Sequence, residues 1–547
     1  MRLHIISISI SLALLVSQLA QARSLPQNTT VLQPRQYVSP NAANSSGLLQ
    51  CLAPLGIKVL QRKSVPFEAN RYAYDLRYTF NPAVIVMASS SADVQTAIKC
   101  AKASGVPVAP RSGGHSFEGY SIGGQDGALV IDLSGLSFVT VIGNIAKVGS
   151  GIRLGPLYLS LYSQGGWTIN GGTCPSVGIG GHALGGGFGL MSRKYGLLVD
   201  RIQDMEVVNA NGDIVTASAT QNPDLFYALR GAGGGSFGVV TSFTLLPFQP
   251  PPVVTSFAYE WSITDYARVL RAYVDFQANA PRDVGVEMNV GPGGLELYGI
   301  YQGPGTAQAA ALAPFFNAAP LPLASDIRES RLIDAQLRFA YITGDPIDIA
   351  ALGLSGPFKA GDSRYTKGKS LVYPKLLKDS TIALIGKWAS KKPVGSTSNY
   401  LIIDLWGGAI QDTTQDATSF VHRDAHTVFE FVVEWDASPN PLPGKPDCQG
   451  CLEWMNGMYN DFLLDYKANY GVVRGYQNYI DSAMPNWQDA YYGSAIDRLM
   501  QIKSASDPSN VFRFPQSIPL SSKQSSLAIT DFFTSLFAGF SNYRQHI

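Results

Sequence analysis

A chain of 547 residues is long enough for two closely packed domains or one large composite one, so burying a core is no constraint. Its 41 Lys and Arg nearly balance 40 Asp and Glu, leaving a formal charge of +1 with only 15% of residues charged, which excludes the one-signed field of a nucleic-acid binder. A hydrophobic fraction of 46% with 55 glycines excludes a disordered chain and points to a folded protein rich in tight turns.

The first segment reads as an address and not as part of the fold. Arg2 precedes a short apolar stretch from Ile5 to Val16, and Ala20-Gln21-Ala22 is a small-x-small cleavage site. Residues 1–22 are therefore expected to be a secretory signal and the protein to be extracellular. The stretch is too short to span hydrocarbon, and no later run reaches about 18 apolar residues, so no membrane anchor is expected. Asn28 and Asn44 begin glycosylation sequons, which suit that route.

From residue 83 the order is a strand over AVIVMA, a helix capped by Ser91 or Asp93 and stopped by Gly105, a strand over VPVAP, and the loop RSGGHSFEGYSIGG. That is a strand-helix-strand unit delivering a glycine-rich loop. GALVIDL, FVTVI and AKVGSG read as short strands, and GPLYLSLYSQGG as a helix that stops at Gly165-Gly166. DIVTA and GVVTSFTLLPF add strands before Pro250-Pro251-Pro252, a domain junction. VGVEMNV, LELYGIYQG and NYLIIDLWGG alternate in a way that predicts an antiparallel sheet with helices on one face. The tail from Ser521 is serine-rich and has no assignable role.

Two loops carry dense glycine. Gly178-x-Gly180-x-x-Ala183, with Asp200 further on, matches a dinucleotide fingerprint, yet the polar NGGTCPS precedes it where that fingerprint demands a buried strand. What survives is the physical point that clustered glycines let backbone N–H groups approach a pyrophosphate, and RSGGHS offers a second such nest with Arg111 beside it. His422 and His426 stand four apart, but their segment reads as the entrance to a strand, so no metal site is expected. In an oxidising compartment five cysteines leave one over. Cys448 and Cys451 form a CxxC suited to a local disulfide or a redox pair, without the second pair that zinc would need; Cys51 and Cys100 flank a strand-like run and could bridge; Cys174 sits in the most glycine-dense stretch.

RSGGHSFEGYS with His115, followed by GTCPSVGIGGHALGGGFG with Cys174, resembles the vanillyl-alcohol-oxidase type of flavoprotein, and within it the berberine-bridge-enzyme-like group and its fungal carbohydrate oxidases. YQNYIDSAMPNW, the YYG ending at Gly493 and DPSNVFRFPQSI resemble that group's terminal segment, and the likeness covers roughly residues 47 to 520. It implies an α+β fold: an FAD-binding domain of two α+β subdomains over 47–249, a substrate domain with a helix-covered antiparallel sheet over 250–472, and a terminal segment over 473–520 returning to the first domain, with 521–547 as the tail. It implies FAD attached through His115 at the 8-methyl carbon and Cys174 at C6, which leaves Cys51 to pair with Cys100 and Cys448 with Cys451. Cofactor contacts would come from Arg111, Ser112, Gly113, Gly114 and Ser116 on the first loop. Gly172, Thr173, Val177, Gly178, Gly180, Gly181 and His182 would add those of the second, with Val240 and Asn478 completing the site.

The same resemblance casts Tyr479 of NYID as the base that removes a hydroxyl proton, with Asp404 of IIDLWGG beside it in a hydrogen-bonded relay. Val177 falls where oxygen-reactive members carry their gatekeeper, which implies reduction of O2 to hydrogen peroxide. Glucooligosaccharide oxidases carry a Tyr where this chain has Phe117 and a Gln where it has Ile402, so two groups that could bind a sugar hydroxyl are absent. The expectation is a secreted, monomeric oxidase with doubly attached FAD that passes hydride to flavin N5 from an alcohol, by preference a carbohydrate. The alternative is an enzyme of specialised metabolism acting on an alkaloid, phenolic or polyketide-like molecule, which Phe117 and Ile402 would suit.

Overall fold

The computed structural model describes residues 42–340, 363–436 and 448–521, with side chains from 46 onward. The signal segment, Asn28 and the tail beyond 521 lie outside these residues; Asn44 falls in the helix Ala42–Leu52, but its side chain is not among those described.

A four-stranded sheet is built from β1 (Lys58–Gln61), β2 (Val84–Met87), β3 (Val108–Arg111) and β4 (Leu129–Asp132), in the order β1-β2-β4-β3. β2, β4 and β3 run parallel, and β1 is antiparallel at the edge. The continuous apolar run of β2 is what a strand covered on both faces requires. The crossover from β2 to β3 is the helix Ser91–Ala103. Its cap is Ser90 and not Ser91 or Asp93: the Ser90 hydroxyl accepts the Asp93 N–H at 3.2 Å while the Asp93 carboxylate accepts the Ser90 N–H at 3.1 Å. Asp93 is thus the reciprocal partner in a capping box.

A second, antiparallel sheet contains β5 (Val139–Ile142), β6 (Ile145–Gly149), β7 (Ile202–Val208), β8 (Ile214–Ser218) and β9 (Val239–Leu245), ordered β5-β6-β9-β7-β8. The third and largest comprises β10 (Val254–Trp261), β11 (Val284–Gly291), β12 (Gly294–Tyr301), β13 (Ala324–Ser330), β14 (Tyr365–Tyr373), β15 (Ser396–Leu405) and β16 (Thr427–Trp435). Its order is β13-β10-β12-β11-β15-β16-β14, antiparallel at every pair.

Helices cover one face of this third sheet, and tyrosines tie them to it. From the helix Tyr266–Gln277 the Tyr273 hydroxyl donates to the Ile403 carbonyl at 3.0 Å. From the helix Gln449–Asn469 the hydroxyls of Tyr459 and Tyr466 donate to the carbonyls of Ser370 and Val372 at 3.0 and 2.6 Å. These are buried donors given partners, as an apolar packing face demands. The opposite face is left for the site. The segment around His422 and His426 does lead into a strand, β16, and the buried His422 ring packs edge-on against Phe420.

Two disulfides are formed, Cys51–Cys100 and Cys448–Cys451. The first joins the helix Ala42–Leu52 to the crossover helix and closes a loop with a sequence separation of 49. Loop-closure entropy assigns it about 4 kcal/mol. A C51A/C100A protein should therefore unfold at a markedly lower denaturant concentration than the parent; equal midpoints would show that the bridge does not constrain the unfolded chain.

Candidate active site

Strand alternation builds one wall of a cavity of about 470 Å³. Because side chains on a strand alternate between faces, β15 presents Tyr400, Ile402 and Asp404 to this cavity, and β16 presents Glu430, Val432 and Glu434. Cross-strand register sets the rows. Tyr298, Glu287 and Asp404 lie side by side across β12, β11 and β15, and Ile402 stands directly opposite Glu430.

The two glycine-rich loops form the facing wall, and they meet backbone to backbone. A Cβ placed on Gly113 would lie 2.1 Å from the nitrogen of Gly178, and one on Gly178 would lie 2.0 Å from the nitrogen of Gly113. No other residue fits at either position. Ser112 fastens the junction: its hydroxyl donates to the Ser150 carbonyl at 2.6 Å and accepts the Gly180 N–H at 3.2 Å. Gly178 is followed by the helix Ile179–Leu184, so this loop opens a helix without the strand that a Rossmann turn requires before it. Asp200, the fingerprint's acidic residue, is held in a bidentate pair with Arg423 at 2.7 and 2.8 Å.

The junction brings His115 and Cys174 together. His115 Nε2 lies 3.0 Å from the Ser176 hydroxyl, and Cys174 Sγ lies 3.4 Å from the same oxygen. Tyr74 stacks on the His115 ring at 4.4 Å and fixes its plane. Burial, helped by the positive charge of Arg153, lowers the His115 pKa to about 3, so the imidazole is neutral. Cys174 is the one cysteine outside the disulfides, and it is exposed. A neutral imidazole and a free thiol on one cavity rim, above glycines whose backbone no side chain covers, are residues that fit a flavin.

The remaining expected cofactor residues gather here as well, with one exception. Gly172 donates its N–H to His182 Nε2 at 3.1 Å, and the His182 carbonyl accepts from Asn478 at 3.0 Å. Burial lowers the His182 pKa to about 4, which suits that accepting role. The Ser116 hydroxyl accepts the Tyr120 N–H at 3.2 Å and so shapes the loop after His115. Gly114, Thr173, Val177, Gly181 and Val240 line the same cavity, as do Phe117 and Ile402. The exception is Arg111, expected beside the cofactor's phosphates. Its buried guanidinium pairs with Asp132 at 2.5 Å and with the Asn70 carbonyl, and it does not line the cavity. As the last residue of β3 it points away from the face that Ser112 serves. Among the described residues, no Lys or Arg lines the cavity.

Tyr479 stands on the sheet side, packed edge-on against Tyr476 at 5.0 Å and tilted against Phe117 at 6.4 Å. Asp404 and Glu430 line the same cavity, and Asp404 Oδ2 is buried without a hydrogen-bond partner among the described residues. Burial and the neighbouring Glu287 push the Glu430 carboxyl up to about 8. Burial likewise pushes Glu287 up to about 7 against the opposing effect of the Tyr298 hydroxyl, which donates to it. Burial and the same acidic neighbours hold Asp404 well above the usual carboxylate range and Tyr479 well above the usual phenol.

Behind Tyr479 lies a charge cluster that sequence reasoning missed. Asp481 accepts from Lys367 and Lys369, each at 2.6 Å, and Lys367 also pairs with Glu118, which takes a further hydrogen bond from Tyr78. All four charges are buried. Burial alone would raise the Asp481 carboxyl, but the two lysines outweigh it and hold the group below the ordinary range. The cluster joins the His115 loop through Glu118, β14 through its lysines, and the Tyr479 segment through Asp481. β14 is buried at all nine positions, and an isolated strand containing two lysines carries no signal of that burial.

Taken together, two glycine loops over a cavity whose other wall carries a tyrosine and carboxyls define an FAD-dependent oxidoreductase. Residues 82–218 match the FAD-binding domain model and residues 475–519 the berberine and berberine-like model. The xylooligosaccharide oxidase of Thermothelomyces thermophilus is 33% identical over 88% of this chain and 95% of its own length. Among solved structures, the berberine-bridge-enzyme-like protein 1 of Physcomitrella patens superposes with a TM-score of 0.79 at 35% identity, covering 87% of this chain and 99% of that one. Another is the glucooligosaccharide oxidase of Acremonium strictum, described with a 6-S-cysteinyl, 8α-N1-histidyl FAD, at a TM-score of 0.77 and 27% identity over 86% of this chain and 99% of that one. The chain belongs to the berberine-bridge-enzyme-like FAD-linked oxidases.

Gly113→Ala should abolish flavin retention, read as loss of visible absorbance in the purified protein, because the loops cannot then meet; a yellow Gly113→Ala protein would contradict the role given to this junction. Asp481→Asn leaves two buried lysines with too little negative charge and should cost about 3–5 kcal/mol of stability. Because the Asp481 carboxyl is held low in the fold, its stabilising contribution is present above the ordinary aspartate range and is lost on acidification through its folded value. Denaturant titration of both proteins at neutral pH checks this, with equal midpoints as the contradicting result.

Proposed function

We propose that the protein is a secreted oxidase that dehydrogenates an alcohol carbon of a carbohydrate, with FAD attached through both His115 and Cys174 and with O2 as the final acceptor. The observation that carries the attachment is the convergence of the His115 nitrogen and the Cys174 sulfur on one oxygen, that of Ser176. When bound, FAD supplies the hydride acceptor at N5. The protein's part is to hold the alcohol and take its proton. Tyr479 receives the substrate hydroxyl and its proton, with Asp404 lining the cavity beside it. The carbohydrate preference is supported by the oligosaccharide oxidases among the relatives, and export by the signal-like residues 1–22. Val177 lines the cavity beside Cys174, where a small side chain leaves room for oxygen to approach.

A second reading has its own support. Phe117 and Ile402 both line the cavity and bring no hydrogen-bonding group, which favours an aromatic or polyketide-like alcohol of specialised metabolism over a polyol. Anaerobic mixing of the protein with mono- and oligosaccharides, and in parallel with phenolic and alkaloid-like alcohols, separates the two. Bleaching of the flavin absorbance by a sugar, with one hydrogen peroxide formed per turnover once air is admitted, is the expected result. Bleaching by the aromatic set alone would transfer the assignment to the second reading, and peroxide-free turnover with an artificial acceptor would remove the oxidase claim.

A further inference from the structure

Two motifs of the sequence, the Gly165-Gly166 stop and the Pro250-Pro251-Pro252 junction, take no part in the catalytic cavity, and the fold brings them together. They line a groove of about 240 Å³ that shares no lining residue with that cavity. The backbones of Thr168 and Phe248 clamp it by exchanging two hydrogen bonds, each 2.9 Å long. Gly165 and Gly166 turn with φ of +127° and +72°, and the half-buried Trp167 follows them into the lining. A Cβ on Gly165 would lie 3.0 Å from the indole nitrogen, so the bare turn is what gives the ring its place. The three prolines fix their own φ and bring no N–H, which makes this wall rigid before anything binds.

The charged groups at the groove compensate one another. Arg331 makes a bidentate pair with Asp334, both contacts 2.8 Å, and donates to the Tyr162 hydroxyl at 2.8 Å. These bonds tie the start of the helix Leu332–Phe339 to the end of the helix Leu154–Ser163. The Gln249 amide nitrogen donates to the Gly165 carbonyl at 3.2 Å, which holds this side chain over the turn, and Gln336 adds a second amide to the lining. An aromatic face edged by neutral amides and a phenol suits a ligand with apolar ring faces edged by hydroxyls, and a neutral saccharide has that chemistry. An anion would have to displace Asp334 from Arg331.

The groove is also continuous with the catalytic cavity. A hollow of about 30 Å³ lies between them, sharing Leu332 and Gln336 with the groove and Gly172 and Thr173 with the cavity. The chain makes the same passage, from Trp167 in the groove past Gly172 beside the hollow to Cys174 in the cavity lining. We propose that this groove is a distal saccharide-binding site, holding the far portion of a neutral oligosaccharide whose reacting end occupies the catalytic cavity. Trp167 is its stacking surface, and Gln249 and Gln336 are its hydroxyl-binding groups. The proposal rests on the reading of the protein as a carbohydrate oxidase and deepens it. The preferred substrate is a chain long enough to reach the groove, and binding made away from the reacting carbon offsets the hydroxyl contacts that Phe117 and Ile402 do not make.

The test uses the flavin-loaded full chain with neutral xylo- and gluco-oligosaccharides, each as the disaccharide and the hexasaccharide. Anaerobic flavin bleaching should half-saturate at a lower concentration of hexasaccharide than of disaccharide, and Trp167→Ala should remove about tenfold of that advantage. Trp167→Phe should retain most of it, and Gln336→Ala should lose part of it even if Trp167→Ala does not fold. An advantage that survives in both alanine variants overturns the proposal, and so does an equal loss for both chain lengths. Calorimetric titration of the photoreduced protein under argon reads binding without turnover. Hexasaccharide should bind, and about tenfold more weakly to Trp167→Ala. Absence of that difference, or binding of a proline-rich peptide in place of the saccharide, overturns the proposal. Failure of every sugar to bleach the flavin while Trp167-dependent binding persists would count against the functional reading alone, and bleaching by sugars without that dependence would count against the distal site alone.

Discussion

The approach of Gly113 to Gly178 is the constraint on which the site depends. Two loops with no local reason to touch are pressed together so closely that a single methyl on either would strike backbone atoms of the other. Everything on that wall follows from the contact. Ser112 can bond to both Ser150 and Gly180, Ser176 can come within reach of both His115 and Cys174, and the backbone is left bare where a flat, charged cofactor needs close approach. The glycine content of the sequence is thus concentrated where function requires that side chains be absent.

The opposing wall obeys a different rule. A sheet with a period of two sends every other residue of β15 and β16 into the cavity and gives the intervening ones to the helices, so a short run of sequence supplies both a core and a chemical surface. Burial of carboxyls on that surface, with no Lys or Arg among the described lining residues, raises their pKa values and leaves Tyr479 a phenol. The compensating positive charge sits one layer back, on Lys367 and Lys369, where Asp481 and Glu118 neutralise it. This cluster couples the His115 loop, the large sheet and the Tyr479 segment, three parts of the chain far apart in sequence, and its mutual compensation makes each member costly to remove.

Much of this was legible in the residues, and the exceptions have physical causes. The strand-helix-strand unit from residue 83 follows from a pattern within a short window, whereas the disulfide partners and the pairing of His115 with Cys174 were implied by the resemblance to the flavoprotein group. Ser90 was missed as a cap because a Ser-Ser-Ser run offers three candidates, and only the reciprocal bond to Asp93 chooses among them. Arg111 was misplaced because adjacency to a glycine nest says nothing about which side of β3 its side chain takes. Glu430 carries no local signal at all. Its place in the cavity wall is set by its register with Ile402, which is a long-range fact. Asp481 and the β14 lysines are similar, since surface and buried charges look alike until their partners are known.

The central claim is that one flavin is held between the two loops by two covalent links. Its most direct measurement is mass analysis of the flavin-containing fragment after denaturation and proteolysis. The account predicts a single species in which the peptide bearing His115 and the peptide bearing Cys174 are joined through one FAD. A flavin that leaves with the denaturant, or that stays on only one of these peptides, would contradict it.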